Sequence, residues 1–193
     1  MGTFLETERL VLRELTPADA GHLHALDNDP AVMRFINGGR PVSPDEVRTR
    51  ELPHRTRRYP CTGECGYWAA EDRTGRFLGW FELRPLDEAS AQTVELGYRL
   101  RRDAWGRGYA TEGARALVRT AFRAWGAERV VAFTMAVNTR SRRVLEKTGL
   151  RHVRTFHGDW PEPIPGAEHG EVEYALTRAE WRAARPSAPP RSG

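Results

Sequence analysis

From Gln92 to Gly149 the chain reads strand, helix, strand, helix, and that order limits the fold more than any other feature. Residues 92–100 (QTVELGYRL) have strand character. From Gly108 the period becomes helical: Ala110, Ala114, Leu117, Ala121 and Trp125 form one face, Val118 and Phe122 widen it, and Gly126 ends it. A strand over 129–137 (RVVAFTMAV) follows, then a helix of about ten residues opened by Asn138 and closed by Gly149. A helix joining two strands of one sheet is a crossover unit. The order therefore predicts an α/β (α+β) chain, a mixed sheet with helices on both faces.

The rest of the chain adds strands and punctuation. LVLRELT (10–16) alternates as a strand, and further strands are predicted over 66–72, 76–84, 150–157 and 171–176, with Asp72-Arg73-Thr74-Gly75 as a turn. Three helix starts carry capping signatures: Thr16-Pro17-Ala18-Asp19, Ser43-Pro44-Asp45-Glu46 before a helix running to about Arg58, and Thr177-Arg178-Ala179-Glu180 before a short C-terminal helix. A length of 193 residues suits a single domain over 1–184, with the tail 185–193 (RPSAPPRSG) expected to be disordered. The loop 157–170 (HGDWPEPIPGAEHG) is long for a hairpin, and long ordered loops often carry function.

Composition excludes several classes. No apolar run approaches the roughly 18 residues of a membrane span. MGTFLETERL has neither a basic-then-apolar signal nor the Ser or Thr of a myristoylation site, so a cytoplasmic location is expected. Cys61 and Cys65 form a lone CTGEC, too few ligands for a metal site, and are expected as free thiols with no metal. All but one of the 30 basic side chains are arginine, the exception being Lys147; a GC-rich coding genome produces that skew and favours a bacterial source. The net charge of +4 permits an anionic ligand without requiring one. HRTRR (54–58) and the stripe Arg115, Arg119 and Arg123 lack interleaved aromatics, which argues against nucleic acid, and the stripe reads as a solvated face.

One helix start breaks the capping habit. In RRDAWGRGYATEGA (101–114), Gly106, Arg107, Gly108 and Tyr109 stand where a Ser, Thr, Asp or Asn cap is expected. A strand, a basic Gly-containing loop and an uncapped helix together suit an anion: main-chain N–H groups and the positive helix end face it, and small residues let it approach. The loop lacks the Lys-Ser/Thr of a Walker motif and the later acid of a dinucleotide fold, so by itself it could equally be a tight turn.

VELGYRL before this loop and NTRSRRVLEKTGL (138–150) after it resemble the paired central motifs of the GNAT acetyltransferases, and of their RimJ/RimL-like branch in particular. LETERLVLREL, DPAVMRF (29–35) and YALTRAEW extend the likeness from Glu6 to Arg182. The resemblance implies a mostly antiparallel sheet of six to seven strands, splayed in the middle, and acetyl-CoA as co-substrate. The family's phosphate motif falls on Trp105, Gly108 and Ala110. Trp105 stands for the usual Gln or Arg, so it should pack rather than donate. Backbone N–H groups of Gly106, Arg107, Gly108, Tyr109 and Ala110 should hold the pyrophosphate, with the Thr111 hydroxyl and Arg107 assisting. Arg101, Arg102, Arg107, Arg142 and Arg143 supply charge, and the arginine that reaches the 3′-phosphate stays open. The pantetheine arm should pair with main chain near Tyr98 and Leu100, and Gly97 suits a bulge there. Asn138 can touch the pantetheine amides, cap its helix, or do both.

The implied chemistry is direct attack of an amine on the thioester within a ternary complex. Many members protonate the leaving thiolate with a Tyr on the helix after Asn138, but Leu145 stands at that position. Ser141 is the candidate acid, against the plain alternative of a serine bonded locally. Glu95 and Glu82 are candidate bases, able to face the thioester together if their strands are neighbours. Arg34, Phe35, Asp159 and Trp160, with Glu162, should line an acceptor side suited to a cationic amine. The RimJ/RimL likeness implies a protein N-terminal α-amine as acceptor, with a small amine such as an antibiotic as the alternative. A non-catalytic acyl-CoA-binding protein is the alternative of another class, and a homodimer is left open.

Overall fold

The computed structural model describes residues 2–158 and 164–184, so Asp159, Trp160, Glu162 and the tail 185–193 lie outside the described residues. Eight strands form one sheet: β1 (Thr3–Glu6), β2 (Leu10–Glu14), β3 (Tyr67–Asp72), β4 (Phe77–Asp87), β5 (Ser90–Leu100), β6 (Arg129–Met135), β7 (Arg151–Phe156) and β8 (Glu171–Thr177). Their spatial order is β1-β2-β3-β4-β5-β6-β8-β7, antiparallel throughout except for β5–β6. That parallel pair is the one joined by a helix, α5 (Tyr109–Arg123), as the strand–helix–strand order requires. The extra strand beyond the expected six to seven is β1, whose four residues are too few to show alternation. It is fixed by tertiary contact, with Phe4 stacked on Trp68 at 4.0 Å.

The pleat sorts β3–β5 into two buried sets. Trp68, Phe81, Leu83, Val94 and Leu96 meet Ala114, Leu117, Ala121 and Phe122 of α5 and Leu145 of α6 (Thr139–Thr148). The helix comes so close that a Cβ on Gly113 would lie 2.3 Å from Phe81 Cζ. Tyr67, Ala69, Phe77 and Trp80 meet the other layer, made of α1 (Ala20–Asp27), α2 (Pro30–Met33), α3 (Pro44–Glu46) and α4 (Leu52–Thr56). A π-helical turn, Val47–Glu51, joins α3 to α4, and the helix expected to reach Arg58 ends at Thr56. Each buried aliphatic or aromatic side chain contributes roughly 1.5–3 kcal/mol. A one-residue slip would exchange the two sets, so burial on both faces fixes the register. A short C-terminal helix, α7 (Arg178–Ala183), follows β8.

β5 and β6 pair only where Thr93–Glu95 meet Arg129–Val131. Beyond that point β5 stays with β4 as far as Leu100, β6 stays with β8 as far as Met135, and a wedge opens between them. Because the two strands are parallel, their C-terminal ends leave the sheet at the same edge. The starts of α5 and α6 therefore flank the wedge. Gly97 makes no bulge here: the β4–β5 register runs unbroken from Gly79↔Leu100 to Pro85↔Val94. Its missing side chain instead leaves room for Glu82, whose Oε2 would sit 2.5 Å from a Cβ at Gly97.

Candidate active site

The wedge opens into a cleft of about 1350 Å³. Most of the residues singled out in the sequence line it: Tyr98, Leu100, Trp105, Gly106, Gly108, Tyr109, Ala110 and Thr111 on one side, Asn138, Ser141 and Arg143 on α6, and Arg34 and Phe35 after α2. Arg107, Glu82 and Glu95 do not. Glu168 and His169 of the long 157–170 loop line it as well, and so do Arg99, Arg140 and Lys147, to which sequence patterns had not pointed.

The start of α5 is bare. Gly108 is its N-cap at φ +84°, a left-handed conformation that favours glycine, and no side chain caps the helix. Its first helical bond runs from Glu112 N–H to Gly108 O at 3.0 Å, so the N–H groups of Tyr109, Ala110 and Thr111 precede it. The one acid of the first turn, Glu112, faces away. Its carboxylate accepts from Thr7 Oγ1 at 2.6 Å, Arg9 N at 2.9 Å and Arg9 Nε at 2.7 Å. Arg9 in turn donates through Nη1 to Arg107 O at 2.8 Å, which pins the loop from outside and turns Arg107 to the surface.

Two expectations about this loop change. Trp105 does donate, but to the protein: its Nε1 meets Leu100 O at 2.8 Å, so the carbonyl expected to pair with a ligand already has a donor. Arg142 points inward, donating to Tyr174 OH at 3.1 Å and Ala136 O at 3.0 Å. Arg101 is held by Asp103 at 3.0 Å. The cationic wall of the cleft is instead the α6 face Arg140, Arg143 and Lys147, at i, i+3 and i+7. Arg140 lies 5.4 Å from the Trp105 ring centroid, and Arg115 donates to Lys147 O at 2.7 Å. Arg115 therefore closes the end of α6 rather than standing on a free stripe.

At the start of α6, Asn138 Oδ1 accepts from Ser141 N at 3.2 Å and its Nδ2 donates to Thr134 Oγ1 at 3.1 Å. The capping role of Asn138 is thus realised. Ser141 Oγ finds no partner on its own helix; it meets Tyr98 OH at 3.0 Å, and the phenol lies 3.3 Å from Ser141 O. Burial pushes the Tyr98 phenol up to about 12, against the opposing hydrogen bond of Ser141, so it stays a neutral O–H donor.

The two glutamates share a face, as their strand parity implies. Glu82 lies opposite Gly97, and Arg84 opposite Glu95. Arg84 donates through Nε to Glu82 Oε1 at 2.6 Å and through Nη2 to Glu95, while Tyr67 OH donates to Glu82 Oε1 at 2.9 Å. Burial raises the pKa of both carboxyls. Glu95 is pushed to about 7, first by burial and then by the charge of Glu82, against the pull of Arg84. On the same face Arg99 binds Asp27, which Arg55 approaches at 3.7 Å. Arg55, from the basic run HRTRR, is buried and so unavailable to a nucleic acid.

Cys61 and Cys65 are free thiols, and Cys65 Sγ donates to Tyr67 O at 2.9 Å. Among the described residues no helix is long and apolar enough to cross a membrane.

The chain matches the family model of the acetyltransferase (GNAT) domain over residues 9–151. It is 38% identical to the FsC-acetyl coenzyme A-N(2)-transacetylase of Aspergillus fumigatus, over 95% of this chain and 80% of that one. It is 28% identical to the putative ribosomal N-acetyltransferase YdaF of Bacillus subtilis, over 94% of this chain and 98% of that one. Among solved structures it resembles the spermidine N-acetyltransferase of Vibrio cholerae in complex with CoA and spermine. That match has a TM-score of 0.74 at 16% identity, covering 91% of this chain and 99% of the other, and speaks to the fold alone.

Proposed function

The chain belongs to the GNAT acetyltransferase family, and on that premise we propose that it transfers the acetyl group of acetyl-CoA to the amine of a small molecule. The donor half is the family's: the protein is an acetyl-CoA-dependent acetyltransferase. The observation that carries the acceptor half is the 38% identity, over nearly the whole chain, to an enzyme named for transfer to an N(2) nitrogen.

The cleft suits coenzyme A on its own residues. The uncapped N–H groups from Gly106 to Thr111 and the positive end of α5 would hold the pyrophosphate, assisted by the Thr111 hydroxyl. Arg143, with Arg140 and Lys147, would answer the remaining phosphate charge. Tyr98 and Asn138 border the wedge where the pantetheine arm would lie. When bound, the donor supplies a thioester whose sulfur leaves as a thiolate. As the C–S bond breaks, Ser141 passes its hydroxyl proton to that sulfur and takes back the proton shed by the newly acylated nitrogen. With the Tyr98 phenol as donor in its 3.0 Å contact with Ser141 Oγ, the serine hydrogen is free to point into the cleft. Glu95, its pKa raised to about 7 by burial and by the charge of Glu82, takes the ammonium proton through solvent, since neither carboxylate lines the cleft.

A screen of amines with acetyl-CoA, followed by release of free thiol, tests this reading. Turnover with small amines is expected. Thiol release with peptides alone would select a second reading, a protein N-terminal α-amine in the RimJ/RimL-like manner, which the likeness to YdaF favours. Acetyl-CoA binding without thiol release from any acceptor would leave only a binding protein.

A further inference from the structure

The cleft passes through the wedge, so its two ends lie on opposite faces of the sheet. Tyr98 turns to the α5–α6 layer, where it meets Phe81 at 6.0 Å and Ser141. Its neighbour Arg99 turns to the other layer, where its guanidinium lies 5.0 Å from the Trp80 centroid and binds Asp27 of α1. The cations of the cleft divide in the same way. Arg140, Arg143 and Lys147 stand on α6, Arg102 follows β5, and Arg34 follows α2. Among the described residues none of these five has a carboxylate partner, whereas Arg99 has Asp27.

Coenzyme A brings about four negative charges at neutral pH on its 3′-phosphate and pyrophosphate. The three α6 cations and the positive start of α5 answer that charge, while Arg102 stands among residues of α1 and α2. Arg34 is left over, in the α2 layer, its guanidinium stacked 5.1 Å from the Phe35 centroid. The charge of Arg99 is already answered by an Asp27 that also faces Arg55. Among the described residues the one acid lining the cleft is Glu168, which accepts from Gly166 N at 3.0 Å. A polycationic amine entering from this side would therefore meet, among the described residues, the guanidinium of Arg34, that of Arg99 paired with Asp27, and the single cleft carboxylate of Glu168.

We propose that Arg34 recognises an acidic group on the acceptor, so that the substrate is an amine carrying a carboxylate rather than a polyamine. The inference rests on the small-amine reading above. A planar guanidinium braced on an aromatic ring presents two parallel donors to a carboxylate, which fixes the acid end of the acceptor and leaves its nitrogen to reach the thioester.

The test compares 5-aminopentanoate, its amide, pentylamine and spermidine by thiol release from acetyl-CoA. The acid is expected to exceed the amide and pentylamine in kcat/KM by about tenfold, with spermidine lowest. Arg34→Gln should erase that preference and leave the KM for acetyl-CoA unchanged, and Arg34→Glu should move it toward spermidine. Equal rates for acid and amide, spermidine as the best acceptor, or an acid preference that survives Arg34→Gln would overturn the inference. Thiol release with none of the four would overturn the small-amine reading instead.

Discussion

Two helix starts in this molecule are built in opposite ways. In the turn before α1, Asp19 is buried and its carboxylate is filled by the protein: Thr16 N donates at 2.8 Å, and Arg13 donates to both oxygens at 2.8 and 2.9 Å. Before α5, Gly108 offers no side chain, and the acid of the first turn faces elsewhere. A helix N-terminus presents unpaired donors and positive potential wherever it occurs. Where the chain's own carboxylate ties the entering turn together, as Asp19 does, the start stabilises the fold. Left open on a cleft, it can hold a ligand's anion. The start of α6 lies between these cases, capped by Asn138 yet presenting Ser141 to the cleft.

The largest expected effect falls on the open start. Gly108→Val strains a residue at φ +84°, meets Arg9 Nη2 at 3.2 Å and screens the N–H groups. The Kd for acetyl-CoA should rise roughly 500-fold, about 3.7 kcal/mol, while the thermal midpoint moves by only a few degrees. Titration calorimetry and melting separate the two. A large loss of stability with unchanged Kd would make this start an ordinary structural turn and dissolve the contrast.

Asp19→Ala should do the reverse, costing about 3 kcal/mol of stability with acetyl-CoA affinity intact. Burial pushes the Asp19 carboxyl up, but hydrogen bonds from Arg13 and Thr16 outweigh it and hold the pKa below its ordinary 3.8. A carboxyl depressed in the folded state stabilises above its unfolded value and loses that contribution as pH falls through the folded one. The stability gap between wild type and variant in urea should therefore be constant above pH 3.8 and close below it. A gap that widens on acidification would contradict the assignment.

The intermediate start should affect turnover. Ser141→Ala is expected to lower kcat roughly 100-fold and Tyr98→Phe about tenfold, each with little change in the KM for acetyl-CoA. The double variant should fall no further than Ser141→Ala, because Tyr98 acts through the serine. Additive losses would separate the two residues. Glu95→Gln is expected to cost about tenfold. Wild-type kcat/KM should rise with pH through a midpoint near 7 and level off above it, as Glu95 loses its proton, and the variant should lack that inflection. An inflection that persists moves the base elsewhere.

What could be read ahead of the structure follows the range of the interactions. The crossover unit, the bare start at Gly108 and the cap at Asn138 are local in sequence, so period and spacing revealed them. The partners of Ser141, Glu82 and Arg142 are set by strand register and helix placement, which no short motif encodes. Tyr98 lies 43 residues from Ser141 and Arg142 lies 32 from Tyr174. Gly97 looked like a bulge because a bulge is a glycine's local reason; its actual reason, Glu82, lies on the neighbouring strand. No motif marked Lys147 or Arg140 as part of a site; the wedge sets their face against the start of α5.

The smallest effect is expected where the protein completes its own cap and no cleft is near. At the start of α7, Thr177 Oγ1 accepts from Glu180 N at 3.2 Å, and Glu180 Oε2 accepts from Thr177 N at 2.9 Å. Thr177→Ala removes one of these partners and should cost about 1 kcal/mol, read as a shift of the urea midpoint at unchanged slope. Turnover and acetyl-CoA affinity should not move. This variant calibrates the comparison, because it measures what a cap contributes when stability is its whole purpose. If Thr177→Ala weakened acetyl-CoA binding as Gly108→Val does, helix starts would act on the cleft through global stability, and the open start of α5 would lose its special standing.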